Sequence, residues 1–165
     1  MSGADRRVTV LLTGATSGIG RATALGLAAR GSDLVLLVRD RARGEQIATL
    51  ARQAGAFGAE VIHCDLSLMS SVRHAVAEFS STHDRLDVLI NDAAVFLGSR
   101  SVTSEGHERM IATNYLGPFL LTNLLLGELV AGAPSRVINV TAPATTAPDP
   151  RDLASIFHER PGDLL

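Results

Sequence analysis

The chain has 165 residues, of which 46% are hydrophobic, 19% charged and 4% aromatic, and its formal net charge at pH 7 is −2. This length is typical of one domain, and the composition excludes disordered and collagen-like proteins. All 15 basic residues are arginine, and so balanced a charge gives no indication of binding to nucleic acid or to anionic membranes. The absence of lysine beside abundant Ala, Arg and Gly favours a GC-rich bacterial genome.

A single cysteine, Cys64, excludes an internal disulfide and is typical of a reducing compartment. Its position at the end of an apolar segment predicts that the thiol is buried. Residues 1–7 form a short, polar segment that does not resemble a secretory signal, so we expect a cytoplasmic protein. The five histidines show no spacing typical of metal ligands, and no metal site is expected.

Five short apolar segments alternate with helical patterns, which predicts βα units and a parallel sheet. The expected strands are Val8–Leu12, Leu34–Val38, Glu60–Cys64, Leu86–Ile90 and Arg136–Val140. The expected helices are Ile19–Arg30, Ala42–Ala54, a helix that Ser67 or Ser70 caps and that reaches Ser81, and a long helix over Ser104–Val130. We therefore expect an α/β, Rossmann-like, doubly wound parallel sheet of about five strands in the order 3-2-1-4-5.

Two regions follow from this pattern. Residues 1–141 are expected to form the dinucleotide-binding domain, and residues 142–165 an irregular, proline-rich tail with at most one short helix. The apolar run Phe119–Leu126 is too short to cross a bilayer, so a helix packed on the sheet is expected there, and no membrane contact.

The segment Thr13–Gly20, Thr-Gly-Ala-Thr-Ser-Gly-Ile-Gly, is the strongest chemical signal. It follows a strand and begins a helix, so its glycines permit a tight turn and the helix N-terminus offers N–H groups and partial positive charge to a pyrophosphate. The alternative is that these glycines only form a turn. The nucleotide contacts expected from this loop are Gly14, Thr16, Ser17, Gly18, Ile19 and Gly20.

The end of the second strand indicates which dinucleotide binds. An acidic residue there would bind the ribose 2′-hydroxyl, whereas an arginine attracts a 2′-phosphate. The chain has Arg39 at this position, so NADP(H) is favoured over NAD(H). Arg41 and Arg43 follow and are expected to lie in solvent at the start of a helix.

These motifs resemble the short-chain dehydrogenase/reductase family along most of the chain, and its retinol-dehydrogenase-like members in particular. Further resemblance lies in Asp65 after the third strand, in Asn91-Asp92-Ala93-Ala94 after the fourth, in the segment around Asn114, and in Ser135–Val140. The resemblance implies that Asp65 holds the adenine, that Asn91 and Ala93 contact the cofactor, and that Asn114 is the structural and proton-relay asparagine.

The resemblance fails at the residues that the family uses for hydride chemistry. In the family, a serine follows the fifth strand and hydrogen-bonds the substrate. A Tyr-x-x-x-Lys pair comes later, in which the lysine lowers the pKa of the tyrosine and the tyrosine transfers a proton. Here Ala142 stands at the serine position, lysine is absent, and the one tyrosine is Tyr115. We therefore expect a truncated chain that ends before this motif and is not a self-sufficient dehydrogenase.

Asp92 replaces the second asparagine of the family's Asn-Asn-Ala-Gly segment, and Ala94 replaces its glycine. Asp92 follows the fourth strand, beside the crevice where ligands bind in open α/β sheets. A partly buried carboxyl group at this place would have a raised pKa and could act as a general acid or base. The alternative is that Asp92 caps a turn or binds backbone N–H groups.

Three functions remain open from the sequence. The favoured one is a non-redox catalyst of the dehydratase or cyclase type that acts on a small carbonyl-bearing metabolite, with Asp92, Asn114 and Tyr115 as candidate catalytic residues. The alternatives are an NADP-dependent oxidoreductase that another chain completes in trans, and a degenerate nucleotide-binding or interaction module. NADP(H) is then retained with weak affinity or as a vestige. Because the fifth strand is expected at an uncovered sheet edge, a homo-oligomer or a partner chain should cover it.

Overall fold

A computed structural model describes residues 7–142, which form a five-stranded sheet in the order β3-β2-β1-β4-β5. All of its strand pairs are parallel. The strands are β1 Thr9–Thr13, β2 Asp33–Val38, β3 Gly58–His63, β4 Val88–Asn91 and β5 Arg136–Asn139. The predicted fold class and strand order are therefore confirmed. The tail predicted for residues 142–165 lies outside the described residues from residue 143 onward.

Helices form most of the connections between these strands. They are α1 Gly18–Ala28, α2 Arg41–Ala54, α3 Met69–Thr82, α4 Arg109–Ile111, α5 Gly117–Leu124 and α6 Leu126–Ala131, with a π-helical turn at Ala112–Leu116 between α4 and α5. No helix within residues 7–142 combines the length and the apolar character needed to cross a membrane.

The core has one layer on each face of the sheet, because successive residues of a strand point to opposite faces. On the face that α1 and α2 cover, the buried residues include Val10, Leu12, Leu34, Leu36 and Ile47. On the face that α3 and α5 cover, they include Leu11, Val35, Ile62, Phe79 and Leu121. Since β1 and β2 carry apolar residues at every second position on both faces, they form the centre of the fold.

The strand order reverses beside β1. This strand pairs with β2 on one side and with β4 on the other, so the chain leaves β1 in one direction and later returns on its other side. In open α/β sheets a crevice forms at the carboxyl ends of the strands at such a point, because the two connecting segments diverge. The loops that follow β1, β2, β3 and β4 all meet there.

The long helix predicted over Ser104–Val130 is wrong in its first turn and in its continuity. Helical structure begins only at Arg109 and is interrupted at Leu125. Pro118 lacks an N–H group, and its ring clashes with the carbonyl four residues earlier in a regular α-helix. The π-helical turn precedes this proline, and the N–H of Gly117 donates to the carbonyl of Ala112, five residues back.

The predicted caps of α3 are also wrong. The helix begins after Leu68, and the carboxylate of Glu105 accepts hydrogen bonds from the N–H groups of Met69 and Ser70, at 2.6 and 3.0 Å. The Ser70 hydroxyl donates to the same carboxylate. These hydrogen bonds lower the pKa of Glu105, and the bond from the Ser70 hydroxyl has the largest effect. The hydroxyl of Ser67 donates to Asp65 instead.

The β5 side of the sheet has little cover within the described residues. Val137 and Ile138 are 41% and 42% exposed although they point to opposite faces. Phe119 of α5, which lines the same pocket as Val137, is 59% exposed, and Val130 of α6 is 74% exposed. Hence β5 is the sheet edge that the sequence predicts, and it is apolar on both faces.

Candidate functional site

A cleft of about 650 Å³ opens at the carboxyl ends of β1 to β4. We call it the first cleft. Eight of the ten residues predicted to bind a cofactor lie around it, namely Gly14, Thr16, Ser17, Gly18, Ile19, Arg39, Asp65 and Ala93. Further lining residues are Leu37, Val38, Arg43, Cys64, Leu66, Asp92, Ala94, Val95, Thr113, Val140, Thr141 and Ala142. The fold thus gathers residues that the sequence separates by more than a hundred positions.

The loop between β1 and α1 requires its glycines. Gly14 has a φ of 77°, and a Cβ atom there would lie 2.8 Å from the backbone nitrogen of Ala93. Gly18 has a φ of 49°, in the left-handed region that favours glycine. A Cβ atom at Gly20 would meet the carbonyl oxygen of Gly14 and lie 2.6 Å from a carboxylate oxygen of Asp92. Gly20 does not line the first cleft, and its role is to let α1 pack against this loop.

The first turn of α1 faces the first cleft with backbone donors. Ser17 is the N-cap residue and has extended backbone angles, but its side chain makes no capping hydrogen bond. Gly18 and Ile19 follow it and are exposed, and the turn contains no acidic residue. Unpaired N–H groups at a helix N-terminus, with the partial positive charge of the helix dipole, bind anions.

Thr13, which sequence analysis did not select as a site residue, holds the first cleft together. Its hydroxyl donates to the carbonyl of Ile90 and accepts the N–H groups of Asp92 and Ala93, both at 3.1 Å. One buried hydroxyl thereby ties the end of β1 to the loop after β4. Its place as the first residue of the glycine segment was the only signal in the sequence.

Asp92 shows both features that the sequence left as alternatives. Its carboxylate accepts a hydrogen bond from the N–H of Gly20, and its pKa is nevertheless raised. Desolvation by burial is the larger effect and raises the pKa, whereas the Gly20 bond lowers it. A carboxyl group therefore lies at the start of α1, inside the first cleft.

Two arginines line the first cleft where β2 ends. Arg39 does so as predicted, and Arg43 of α2 lines it as well, although sequence analysis placed Arg43 only in solvent. Asp40 caps α2, because its carboxylate accepts the N–H of Arg43 at 3.1 Å and lies 3.4 Å from the Nε of that side chain. Arg43 follows Arg39 by four residues, a spacing that could have identified it. Arg41 is exposed and is not among the lining residues.

The end of β3 contributes an aspartate and a thiol. Oδ1 of Asp65 accepts the N–H of Ser67 at 2.9 Å and its hydroxyl at 2.7 Å, so the turn fixes the carboxylate beside the cleft. Cys64 is buried, as predicted. Burial, with a smaller contribution from the negative charge of Asp65, raises the pKa of Cys64 to about 12. The thiol is therefore protonated at neutral pH and is a poor nucleophile.

Asn91 does not line the first cleft. Its Nδ2 donates to Asn139 at 2.9 Å and to Thr122 at 3.3 Å, so its side chain points to the opposite face of the sheet. Oδ1 of Asn91 is buried without a hydrogen-bond partner within the described part of the chain. No pattern in the sequence indicates to which face of the sheet this amide turns.

A second cleft, of about 660 Å³, lies on that other face. Asn114 and Tyr115 line it, whereas Asp92 lines only the first cleft, so the three candidate catalytic residues do not share one site. Both groups of the Asn114 amide bind the backbone of Val95, each at 2.8 Å. Tyr115 is 63% exposed and stacks on Phe119. Asn114 therefore acts here as a clamp on the loop after β4.

The two clefts share a wall made of Ala93, Ala94, Val140, Thr141 and Ala142. Ala142, at the position where the family resemblance predicts a serine, has a methyl group and no hydroxyl. Within residues 7–142 no group of three or more His, Cys, Asp or Glu side chains lies close enough together to hold a metal ion.

A parallel sheet with a glycine loop at its switch point, leading into a helix with free N–H groups, defines the dinucleotide-binding class of Rossmann-like folds. The chain has each of these features and is of that class. Sequence comparison then gives the family.

The chain belongs to the short-chain dehydrogenase family, whose model matches residues 8–153. It is 45% identical over 145 residues to retinol dehydrogenase 14 of Mus musculus, a match that covers 81% of this chain and 43% of the relative. It is 41% identical over 140 residues to retinol dehydrogenase 13 of Homo sapiens, with 84% and 42% covered. The chain thus spans less than half the length of these relatives.

Solved structures with the same fold carry nicotinamide cofactors. A metagenomic short-chain oxidoreductase in complex with NADP superposes with a TM-score of 0.75 at 28% identity, covering 86% of this chain and 65% of that one. An alcohol dehydrogenase from Thermococcus sibiricus, complexed with 5-hydroxy-NADP, gives 0.70 at 27% identity, with 81% and 57% covered. These neighbours support a cofactor of the NAD(P)H type for the first cleft.

Proposed function

We propose that this chain binds NADP(H) in the first cleft and forms the cofactor-binding portion of an oxidoreductase. The observation that carries the proposal is the glycine loop, which leaves the N–H groups of Gly18 and Ile19 at the cleft. A pyrophosphate would accept hydrogen bonds from this turn and interact favourably with the helix dipole. Asp65 would lie beside the adenine and Ala93 beside the nicotinamide half of the cofactor.

The choice of NADP(H) over NAD(H) depends on Arg39 and Arg43. Both line the cleft at the end of β2, where a 2′-phosphate would lie, and an arginine binds phosphate oxygens with charge-assisted hydrogen bonds. Asp40 follows Arg39 but is engaged in capping α2 and in the contact with Arg43. It therefore does not take the place of the acidic residue that binds a ribose 2′-hydroxyl.

A redox role has more support than the dehydratase or cyclase role that the sequence favoured. Bound NADP(H) would supply or accept a hydride, and the named relatives are dehydrogenases. The three candidate residues for proton transfer lie in different clefts, and the amide of Asn114 is fully engaged. A small-molecule carbonyl compound or its alcohol would be the substrate. A sequence with a single cysteine, Cys64, is typical of a reducing compartment such as the cytoplasm.

We further propose that a second polypeptide, either another copy of this chain or a different partner, covers the face around β5. Val137 and Ile138 are exposed on opposite faces of this strand, and the exposed Phe119 of α5 lines the second cleft together with Val137. A strand with free backbone groups and apolar side chains at a sheet edge pairs readily with another chain. The second cleft opens on this face, so such a partner would help to shape it.

Titration of the purified chain with NADPH and, separately, with NADH tests the proposed function. We expect saturable binding of NADPH, at least about tenfold tighter than that of NADH, because only NADPH offers a phosphate to the arginines. Isothermal titration calorimetry measures both affinities, and 2′-phospho-AMP serves as a competitor that lacks the nicotinamide. Absence of binding at millimolar NADPH would refute the proposal.

A further inference from the structure

The hydrogen-bond acceptor at the N-terminus of α1 comes from a distant loop and not from the N-cap residue. An N-cap side chain normally accepts the N–H of the second or third helical residue, but Ser17 makes no such bond. The third helical residue is Gly20, and its N–H donates instead to the carboxylate of Asp92, which comes from the loop after β4. The absence of a Cβ atom at Gly20 allows this approach, since that atom would lie 2.6 Å from Oδ2 of Asp92.

This bond has two consequences for an anion at the start of α1. It occupies one of the few N–H groups that the first turn offers. It also places a negative charge inside the cleft, where the pyrophosphate of a dinucleotide would add more of the same sign. The resemblance to the family leads one to expect a neutral asparagine at this position, which could accept the same hydrogen bond without the charge.

We propose that Asp92 lowers the affinity of the first cleft for NADP(H) and couples binding of the cofactor to uptake of a proton by its carboxyl group. This role rests on the NADP(H) binding proposed above. A protonated Asp92 still accepts the N–H of Gly20 through its carbonyl oxygen, so α1 remains capped while the charge is lost. Burial already shifts the pKa of Asp92 upward, and a neighbouring pyrophosphate would shift it further in the same direction.

The other charged groups around the first cleft set the background for this titration. Arg39 and Arg43 line it from the end of β2 and the start of α2, and Asp65 lines it after β3. Arg21 is the one charged residue of α1, and the loop before α1 contributes only neutral side chains. None of these charged side chains changes between the proteins to be compared.

Calorimetric titration of the wild-type chain and of Asp92→Asn with NADPH tests this role. At neutral pH and low salt we expect the variant to bind about three- to tenfold more tightly, with a difference that shrinks as salt screens the charges. Repeating the titration in two buffers of different ionisation enthalpy gives the number of protons taken up. The wild type should take up more protons than the variant, because the 2′-phosphate contributes equally to both.

Asp84→Asn is the matched control. It removes the same charge, but Asp84 is exposed and precedes β4. Asp84 therefore lies at the amino ends of the strands, whereas the first cleft lies at their carboxyl ends. Its affinity for NADPH should equal that of the wild type. Proton uptake by the wild type on binding NADH, which has no 2′-phosphate, tests the coupling without any variant. Asp92→Ser, which can still accept the Gly20 N–H, replaces the asparagine variant should that protein fail to fold.

The outcomes separate the two proposals. Equal affinities and equal proton uptake in the wild type and in Asp92→Asn would overturn the role of Asp92 while leaving the proposed function intact. Binding of NADPH by neither protein would overturn both. Binding by the variant in the absence of measurable binding by the wild type would support the effect of Asp92 on affinity and would overturn the proposed function of the wild-type chain.

Discussion

Strands β1 and β5 are both rich in apolar residues, yet their surroundings differ completely. Val10, Leu11 and Leu12 of β1 have no exposed surface, whereas every residue of β5 is exposed. Helices pack on both faces of β1, while β5 lies at the edge of the sheet beside β4 alone. The comparison teaches that apolar content shows what a strand needs to bury, but not whether the chain itself buries it.

The two clefts inherit this difference. The first cleft is built mainly from loops at the ends of β1 to β4, which the packed core positions, and only part of its wall, Val140, Thr141 and Ala142, follows β5. The second cleft includes Val137 of β5 and Phe119 of α5, both exposed. We therefore expect nucleotide binding to be a property of this chain alone, and any function of the second cleft to depend on what covers β5.

The largest effect is expected from Gly20→Ala, compared with Gly26→Ala in the same helix. A Cβ atom at Gly20 meets the backbone of Gly14, whereas one at Gly26 meets nothing within 4 Å. Gly20→Ala should lower the free energy of unfolding by about 2–3 kcal/mol and abolish NADPH binding, because α1 must move away from the loop. Gly26→Ala should raise the free energy of unfolding by about 0.5–1 kcal/mol. Urea unfolding measures the free energy of unfolding of both variants. Similar changes in the two variants would contradict the difference in packing between the first turn of α1 and its middle.

Arg39→Ala should weaken NADPH binding by about tenfold or more, because a charge-assisted contact to phosphate is lost. Binding of NADH should hardly change, and Arg43→Ala should show a smaller effect of the same kind. Arg41→Ala is the control, since Arg41 is exposed outside the lining of the cleft. Equal losses for NADPH and NADH would contradict the assignment of these arginines to the 2′-phosphate.

A smaller effect is expected for self-association through the β5 face. Phe119→Ser removes exposed apolar surface on α5 beside Val137, and it should lower the association constant by about fivefold if a second copy covers that surface. Leu50→Ser, on α2, is the control and should leave association unchanged. Sedimentation equilibrium measures both. A monomeric wild type would show that a second copy does not cover β5 and would leave a different polypeptide as the proposed partner.

The smallest effect concerns pH and stability. The pKa of Asp92 is raised above its ordinary value of 3.8, so the folded state holds this proton more tightly than the unfolded state does. The stability of the wild type relative to Asp92→Asn should therefore fall as pH rises from below 3.8 through the raised pKa, and stay constant above it. The change should remain below about 1 kcal/mol, because solvent screens a half-buried carboxylate. Urea unfolding across this range checks the sign, and a rise with pH would contradict it.

The sequence was sufficient for the sheet. Alternating apolar segments and the glycine loop predicted five parallel strands in the observed order, with bounds that differ by at most two residues. These signals are local, because each depends on residues within one strand or one turn. Eight of the ten residues predicted to bind a cofactor line the first cleft, and most of them follow directly after a strand.

The polar side chains that link distant segments could not be predicted. Glu105 caps α3 from 35 residues away, and Thr13 binds the loop after β4 from nearly 80 residues away. Asn114 could be recognised as structural only from its resemblance to the family, and its partner Val95 not at all. Such pairs carry no periodicity, and only the folded chain brings them together. The break in the predicted long helix also depends on how the segment before Pro118 relaxes, which propensity does not describe.

The first segment of the loop after β4 is fastened at two places, by the Thr13 hydroxyl at Asp92 and Ala93 and by the Asn114 amide at Val95. Its conformation is thus preorganised before any ligand arrives. Ordering a free loop costs about 1–2 kcal/mol per residue in backbone entropy, and a ligand that binds here does not have to supply that amount. Because the backbone of this segment is already fixed, only side chains around it can adjust to ligands of different shape.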